Sequence, residues 1–225
     1  MKQLADGVWH LNTFFLPNSI NAFLVEGAGE TVLIDAGTRR SGKGILRDLE
    51  GHELTAHALT HAHPDHQGAS PEVCAKLGIP YWVPERDVDA AEDPSLIAQR
   101  QPDQFMARFF TRTMVGPAHQ VDRALQEGDR VAGFEVIDVP GHSAGHVAYW
   151  RASDGVLILG DVLNNMDVIT AIPGLREPKP YLTPDPEENR RSAKKLGGLE
   201  PALALFGHGA ALRDGRKFRE FVEGL

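Results

Sequence analysis

Residues 60–66 read Thr-His-Ala-His-Pro-Asp-His, so that three imidazoles and one carboxylate fall within a few positions of one another. Imidazole nitrogens are good ligands for zinc and similar metals, and a carboxylate adds compensating negative charge. Because side chains alternate along extended backbone, His61 and His63 are expected to point to the same side. A turn after His63 can then aim Asp65 and His66 at a second point nearby. This one stretch therefore predicts ligands for two metals.

Further candidate ligands follow predicted strands in the same way. These candidates are His142, Asp161 and His208, which come after strands predicted over residues 130–139, 156–159 and 202–206. A glycine precedes each of them and permits a turn that presents the side chain. In layered α/β folds, functional residues collect at the carboxyl ends of strands. These positions and residues 61–66 together predict one metal site built from several distant segments.

Hydrophobic periodicity predicts that strands and helices alternate along the chain. Strands are predicted over residues 7–11, 20–26, 31–35, 57–60, 79–83 and 147–151, and helices over residues 41–50, 187–196 and 215–222, with another helix that ends at Leu77 before Gly78. Helical stretches are also predicted within residues 95–113, and a long proline-rich loop over residues 164–186. This order implies a layered α/β architecture, and no change in composition divides residues 1–225 into two domains.

Composition excludes several classes of protein. The formal net charge of −8 argues against a protein that grips nucleic-acid phosphates. The single cysteine, Cys74, cannot form a disulfide within the chain, and its apolar neighbours predict that it is buried. No segment has the pattern of a signal peptide or of a membrane-spanning helix. We therefore expect a cytoplasmic protein with a small-molecule substrate and without nucleic-acid or membrane partners, while a homodimer stays open.

Isolated histidines are more often structural than functional. We interpret His10, His52, His57 and His119 in that way, because none of them belongs to a cluster of histidines and aspartates in the sequence. His146 allows two interpretations: it either orients a ligand through a hydrogen bond or serves only the packing.

The four segments at residues 60–66, 140–146, 159–161 and 207–209 together resemble the metallo-β-lactamase-fold superfamily, and within it the glyoxalase II and lactonase-like group. The resemblance covers almost the whole chain, from the early strands and residues 34–37 to His208, and is specific for fold rather than for substrate. It implies an α/β (α+β layered) fold, namely a four-layer αββα sandwich. In this fold two mixed sheets face each other, helices lie outside, and metals sit at one edge between the sheets.

The resemblance also implies two divalent metal ions, with Zn²⁺ expected and Fe²⁺ or Mn²⁺ as alternatives. The implied ligands are His61, His63 and His142 for the first metal, Asp65, His66 and His208 for the second, and Asp161 for both. Asp35 matches an aspartate that supports the site in this family without ligating.

Departures from family patterns narrow the expected substrate. Common β-lactamases carry a cysteine at the position of Asp161, which argues against antibiotic hydrolysis. Lactonases of this group often place a tyrosine shortly after that aspartate, whereas residues 162–165 are Val-Leu-Asn-Asn. Flavin-coupled diiron reductases carry glutamate where this chain has His63. Glyoxalase II usually has a helical extension at its C-terminus, which we do not expect after His208 here.

The expected reaction is hydrolysis of an ester, thioester or lactone by a hydroxide held between the two metals. The expected catalytic residues are Asp65, which would handle a proton, and Asp161, which would set the spacing of the metals. A mononuclear iron persulfide dioxygenase and a small-molecule phosphodiesterase are the alternative functions. A binding protein without activity is the third, but the complete ligand set argues against it.

The substrate pocket is expected in loops near the site. The candidate segments are residues 14–18, 105–110 and 164–181. In the last of these, Arg176, Lys179 and Tyr181 could meet an acidic group of a substrate or simply belong to a solvated loop. Either the helical stretches within residues 95–113 or the loop of residues 164–186 could cover the site as a lid. The alternative for residues 95–113 is a helix that packs on the core.

Overall fold

The structure is a computed structural model that describes the backbone of residues 1–225 and every side chain except that of Gln104. The first sheet contains, in spatial order, β1 (Lys2–Ala5), β2 (Val8–Asn12), β3 (Asn21–Gly27), β4 (Glu30–Ile34), β5 (Ala56–Ala58), β6 (Tyr81–Pro84) and β7 (Arg123–Leu125). The second contains β8 (Arg130–Val131), β9 (Phe134–Asp138), β10 (Val147–Arg151), β11 (Val156–Ile158) and β14 (Leu203–Leu205). A hairpin of β12 (Asn164–Met166) and β13 (Pro173–Arg176) stands apart from both sheets.

The helices lie on the outer faces of the sheets and near the site. They are α1 (Gly42–Asp48), α2 (Ser70–Leu77), α3 (Val88–Glu92), α4 (Ser95–Gln99), α5 (Gln104–Met114), α6 (Pro186–Gly197) and α7 (Gly215–Glu223). The C-cap of α2 is Gly78, whose φ of 66° is the left-handed conformation that ends a helix, as the sequence predicted. Within the part of the chain that the structure describes, no helix combines the length and apolar character needed to cross a membrane.

Neighbouring side chains of β4 point to opposite faces of the first sheet, and both faces are covered. Val32 and Ile34 point into the core between the two sheets, whereas Leu33 points outward. There Leu33 packs with Ile45 of α1 and Val73 of α2. All five side chains are buried, which is the pattern of a strand with helices on one side and a sheet on the other.

The second sheet repeats this arrangement. Val156 and Ile158 of β11 join the core between the sheets, and Leu157 points to the opposite face. Leu196 of α6 and Phe218 of α7 cover Leu157 there. The layers are therefore helix, sheet, sheet, helix, and the predicted αββα sandwich is confirmed.

Strand directions bring the functional segments to one edge. Strands β4 to β7 run parallel to one another, and β11 runs parallel to β14. Strand β9 runs in the direction of β11, because both are antiparallel to β10. The carboxyl ends of β4, β5 and β6 therefore face those of β9, β11 and β14 across the site.

Two predictions of secondary structure were wrong. Residues 130–139 form two strands, β8 and β9, because Ala132 and Gly133 adopt positive φ of 47° and 84° and turn the chain into a tight hairpin. The predicted loop at residues 164–186 contains the hairpin of β12 and β13 and a short 3₁₀ turn at Pro180–Leu182. The edge strands β1 and β7 and the short helix α3 were not predicted. The predicted burial of Cys74 is confirmed, since its side chain is 3% exposed.

Candidate metal centre

Asp35 follows β4 directly and forms hydrogen bonds that position two neighbouring segments of the site. Its φ of 60° lies in the left-handed region, which aspartate tolerates better than most residues. Its Oδ1 accepts a hydrogen bond from the backbone N–H of Thr60, and its Oδ2 accepts one from the Thr60 hydroxyl, both at 2.8 Å. Oδ2 also lies 2.8 Å from Nδ1 of His66. Asp35 therefore holds the backbone before His61 and orients the ring of His66.

The structure brings all the predicted site residues together in three overlapping groups. Within each group, one ligand atom from each residue lies within 4.8 Å of the others. The groups are His61, His63 and His142; His61, His66 and Asp161; and Asp65, His66 and His208. The first and third groups have the same members as the two ligand sets expected from the sequence.

Asp161 lies between these two sets. Its Oδ2 is 3.6 Å from Nε2 of His142 and 3.0 Å from Nε2 of His208. Its Oδ1 is 3.5 Å from Nε2 of His66. One carboxylate thus contacts both sets, which is the placement that a bridging ligand requires.

Each of the five clustered histidines uses one ring nitrogen outside the cluster and turns the other inward. The outward contacts are His61 Nδ1 with Thr60 Oγ1 at 3.0 Å, His63 Nε2 with the Gln101 amide at 2.7 Å, His66 Nδ1 with Asp35 at 2.8 Å, His142 Nδ1 with Thr183 Oγ1 at 3.2 Å, and His208 Nδ1 with the Ser19 carbonyl. Such outward hydrogen bonds fix the ring orientation of metal-binding histidines and leave the opposite lone pair free.

The inward-facing atoms fit a metal better than they fit one another. Among the described side chains, Nε2 of His61, Nε2 of His66 and Oδ1 of Asp161 are buried without a hydrogen-bond partner. Nδ1 of His63 and Nε2 of His142 face each other at 2.9 Å. Zn–N bonds of about 2.0–2.1 Å in a tetrahedron place ligand atoms about 3.3 Å apart. The spacings around Asp161 and between the histidines bracket that distance.

Charge and burial set the protonation of the cluster. Burial, followed by the charges of His66 and His146, lowers the pKa of His61 well below its ordinary value. Burial would likewise lower the pKa of His208, but Asp161 and Asp65 outweigh it and raise that pKa to about 10. Burial would raise the pKa of Asp161, yet His208 and His66 hold it well below the usual range. The ionised Asp161 and the proton that it holds on His208 mark a volume that stabilises positive charge, which a bound metal would supply in place of that proton.

Asp87 joins two of the loops that carry the site, and the sequence did not single it out. Its buried carboxylate accepts hydrogen bonds from the backbone N–H groups of Ala62 and Gly145, both at 2.9 Å, and from the hydroxyl of Ser143 at 2.8 Å. It thus ties the loop of residues 61–66 to that of residues 142–146. The available signal was its place shortly after β6, since the other site residues also follow strands.

His146 contacts the backbone of the site and packs its ring against that of His61, with the ring centroids 4.4 Å apart. It is fully buried, and its Nε2 accepts a hydrogen bond from the N–H of Asp161 at 3.3 Å. This contact favours the interpretation that His146 helps to position Asp161. The isolated histidines His10, His52, His57 and His119 lie outside the three groups found among the described residues.

Glycine is needed at position 207 because candidate ligands lie where a side chain would begin. A Cβ atom at this position would lie 2.1 Å from Oδ1 of Asp161 and 2.6 Å from Cε1 of His66. Real Cβ atoms do not come closer than about 3.0 Å to such neighbours, so any side chain here would displace a candidate ligand.

A cavity of about 220 Å³ opens above the cluster, and His63, Asp65, His142, Asp161 and His208 form its floor. All three segments predicted to form the pocket contribute to its lining, through Phe14, Ala107, Phe110, Asn164, Val168, Ile169, Pro178 and Lys179. The structure does not support the prediction that three polar residues of the segment 164–181 are free to meet an acidic group of a substrate. Lys179 reaches the cavity but pairs with Asp167, Arg176 pairs with Asp167 as well, and Tyr181 is not part of the lining.

Comparison with known proteins places the chain in one superfamily of metal-dependent proteins. The sequence profile of the metallo-beta-lactamase superfamily matches residues 16–208. The chain is 32% identical over 207 residues to the Bacillus subtilis protein named "Probable metallo-hydrolase YflN", covering 84% of this chain and 78% of that protein. It is 37% identical over 148 residues to the hydroxyacylglutathione hydrolase of Fuscovulum blasticum, covering 63% of this chain and 47% of that enzyme.

A solved structure shares both sequence and fold with the chain. The crystal structure of TTHA1623 in a di-iron-bound form superposes with a TM-score of 0.68 at 32% identity. The match covers 88% of this chain and 92% of that one.

Proposed function

The chain belongs to the metallo-beta-lactamase superfamily, and from that premise we propose that it is a hydrolase with a dinuclear metal site that cleaves an ester, thioester or lactone. The observation that carries this proposal is the orientation of the five clustered histidines. Each is held from outside through one ring nitrogen, and each turns its other nitrogen towards the same small volume. The carboxylate of Asp161 stands in the middle of that volume.

The proposed ligands form two sets joined by one carboxylate. They are His61, His63 and His142 in the first set, Asp65, His66 and His208 in the second, and Asp161 shared by both. Because the ligands come from the strand ends of both sheets, we also propose that residues 1–225 act as one domain.

Bound divalent ions would polarise a carbonyl oxygen and make water nucleophilic near neutral pH. The side chains supply the remaining functions. Asp65 is the most exposed member of the ligand sets, since about a quarter of its side chain is accessible, and it lines the cavity. Burial would raise its pKa, but the hydrogen bond from His208 and the nearby imidazoles lower it, so Asp65 is a carboxylate. Ionised and open to the cavity, Asp65 is placed to pass the proton of the attacking water to the leaving group.

Relatives support both the reaction class and a choice of metals. A hydroxyacylglutathione hydrolase acts on a thioester, which favours carbonyl substrates over phosphoesters. The seven proposed ligands include five imidazoles, a composition that suits zinc. The di-iron form of TTHA1623 supports iron as the alternative.

Metal analysis tests this proposal directly. We expect about two zinc ions per chain in protein purified without added metal, measured by elemental mass spectrometry. A chelator should abolish hydrolysis of a panel of esters, thioesters and lactones, and added zinc should restore it. About one iron per chain, with oxygen uptake on a persulfide and no metal-dependent hydrolysis, would instead establish the oxidative alternative.

Gln101 is expected to tune metal affinity through His63. Its amide lies 2.7 Å from Nε2 of His63, and its Oε1 is buried without a partner among the described residues. Turning the amide by 180° lets Oε1 accept the Nε2–H of His63, which leaves Nδ1 free for a metal. Replacing Gln101 with alanine should therefore weaken metal binding by about 10–100-fold, measured by competition with a chromophoric chelator.

Two variants control for this prediction. Gln101→Glu keeps an acceptor at the same place and should retain most of the affinity. Gln99→Ala changes an exposed glutamine at the end of α4 and should bind metal as the wild type does. An affinity of Gln101→Ala within twofold of the wild type would show that this contact does not support the site.

A further inference from the structure

The cavity above the candidate metal centre has apolar walls. The apolar residues of its lining include Ile97 of α4 and Phe110 and Met114 of α5, together with Val168, Ile169 and Leu182. Apolar walls around a polar floor are the usual form of a pocket that binds an apolar group and orients its reactive end. The reactive end here would lie at the ligand cluster, because the same cavity is floored by Asp65, Asp161 and His208.

The cation in the cavity walls is already held by a carboxylate, which it shares with Arg176. Among the described lining residues, Lys179 is the only lysine or arginine, and its Nζ lies 2.6 Å from Oδ2 of Asp167. The same carboxylate oxygen lies 3.0 Å from Nη1 of Arg176. Asp167 is nearly buried and also accepts hydrogen bonds from the backbone N–H groups of Ile169 and Thr170, both at 3.0 Å. Lys179 is thus part of the structure of the wall, and a substrate carboxylate would have to compete with Asp167 for it.

The size of the cavity limits the group that it can hold. An engineered apolar cavity of about 150 Å³ accommodates benzene. The present cavity of about 220 Å³ is therefore large enough for an apolar group of about six to eight carbon atoms.

We propose that this cavity binds an uncharged, apolar acyl group of about six to eight carbon atoms, so that the substrates are esters or thioesters of such acids rather than thioesters of glutathione. This inference rests on the proposed hydrolase function and names its substrate class. It separates this chain from the hydroxyacylglutathione hydrolase that it resembles, since glutathione carries two free carboxylates and the walls offer no uncommitted cation among the described residues.

A matched series of thioesters tests the inference. The metal-loaded enzyme would be assayed with S-acetyl, S-hexanoyl and S-dodecanoyl N-acetylcysteamine, which share one uncharged leaving group, and with S-lactoylglutathione. We expect kcat/KM to rise about three- to fourfold per methylene from acetyl to hexanoyl, because each buried CH₂ adds a similar increment of binding. The dodecanoyl compound should gain nothing further, and S-lactoylglutathione should be at least tenfold poorer than the hexanoyl compound.

A pair of neighbouring phenylalanines provides the matched control. Phe110 lines the cavity, whereas Phe109 does not and is 57% exposed. Phe110→Ala should reduce the ratio of hexanoyl to acetyl kcat/KM by about tenfold, and Phe109→Ala should leave that ratio unchanged. A flat dependence on chain length, or a preference for S-lactoylglutathione, would overturn the inference while leaving the hydrolase proposal intact. Failure of every thioester and ester under metal-loaded conditions would overturn both.

Discussion

Replacing Asp161 with alanine is expected to lower kcat/KM by about 10³-fold, equivalent to ~4 kcal/mol of transition-state stabilisation. Asp161 contacts His66, His142 and His208 through two carboxylate oxygens, so its loss removes the shared ligand of both proposed sets. It also removes a negative charge that would compensate the two proposed cations. We expect the purified variant to hold fewer than two metal ions per chain by elemental mass spectrometry, with the greater part of its activity lost in steady-state assays.

The control is an aspartate that is near Asp161 in the sequence but is not among the proposed metal ligands. Asp154 lies in the turn between β10 and β11 and pairs with Arg151 at 2.8 Å near the surface. Asp154→Ala should cost at most ~1 kcal/mol of stability and should keep its full metal content. Circular dichroism of both variants would establish that they fold. Wild-type turnover in metal-loaded Asp161→Ala would rule out a bridging role.

Replacing Gly207 with alanine is expected to disrupt the site by contact alone. The added Cβ would meet Oδ1 of Asp161 and Cε1 of His66 at 2.1 and 2.6 Å, and both belong to buried, closely packed side chains. Gly207 does not have a positive φ, so alanine introduces no backbone strain. A displacement of about 1 Å among catalytic groups can cost about 10²-fold in rate, and two candidate ligands move here. We therefore expect at least a 10²-fold loss of activity and weaker metal binding.

A second glycine separates this effect from the general effect of adding a methyl group. Gly44 lies within α1, and a Cβ there would have no neighbour within 4 Å. Gly44→Ala should raise the free energy of unfolding by up to about 1 kcal/mol, measured by urea denaturation, and should leave metal content unchanged. If Gly207→Ala bound metal and turned over as Gly44→Ala does, the ligand cluster could not have the packing described above.

The sequence alone was sufficient to find the candidate ligands because each belongs to a local pattern. Residues 61–66 form one contiguous stretch after β5. His142, Asp161 and His208 each follow a glycine shortly after an apolar strand. Such signals lie within a few residues of the side chain concerned, so they can be recognised before the fold is known.

Contacts between distant segments could not be predicted in this way. Gln101 approaches His63 from 38 positions away, and Thr183 approaches His142 from 41. No local pattern marks either residue, since glutamine and threonine are common on helix ends and in loops. The ion pairs of Asp167 with Arg176 and Lys179, only 9 and 12 positions away, were missed because the hairpin of β12 and β13 was predicted as a loop. Without them, Lys179 and Arg176 were interpreted as able to meet an acidic group.

The ligands and the cavity walls come from different parts of the chain. The former stand at the ends of strands in two packed sheets, while α4, α5, the hairpin of β12 and β13 and the segment that follows it form most of the apolar wall. Substitutions in the wall can change which molecule is accommodated without moving the metal ligands. Single substitutions in the wall can thus lead to new substrates during evolution while each intermediate protein keeps its metal ligands.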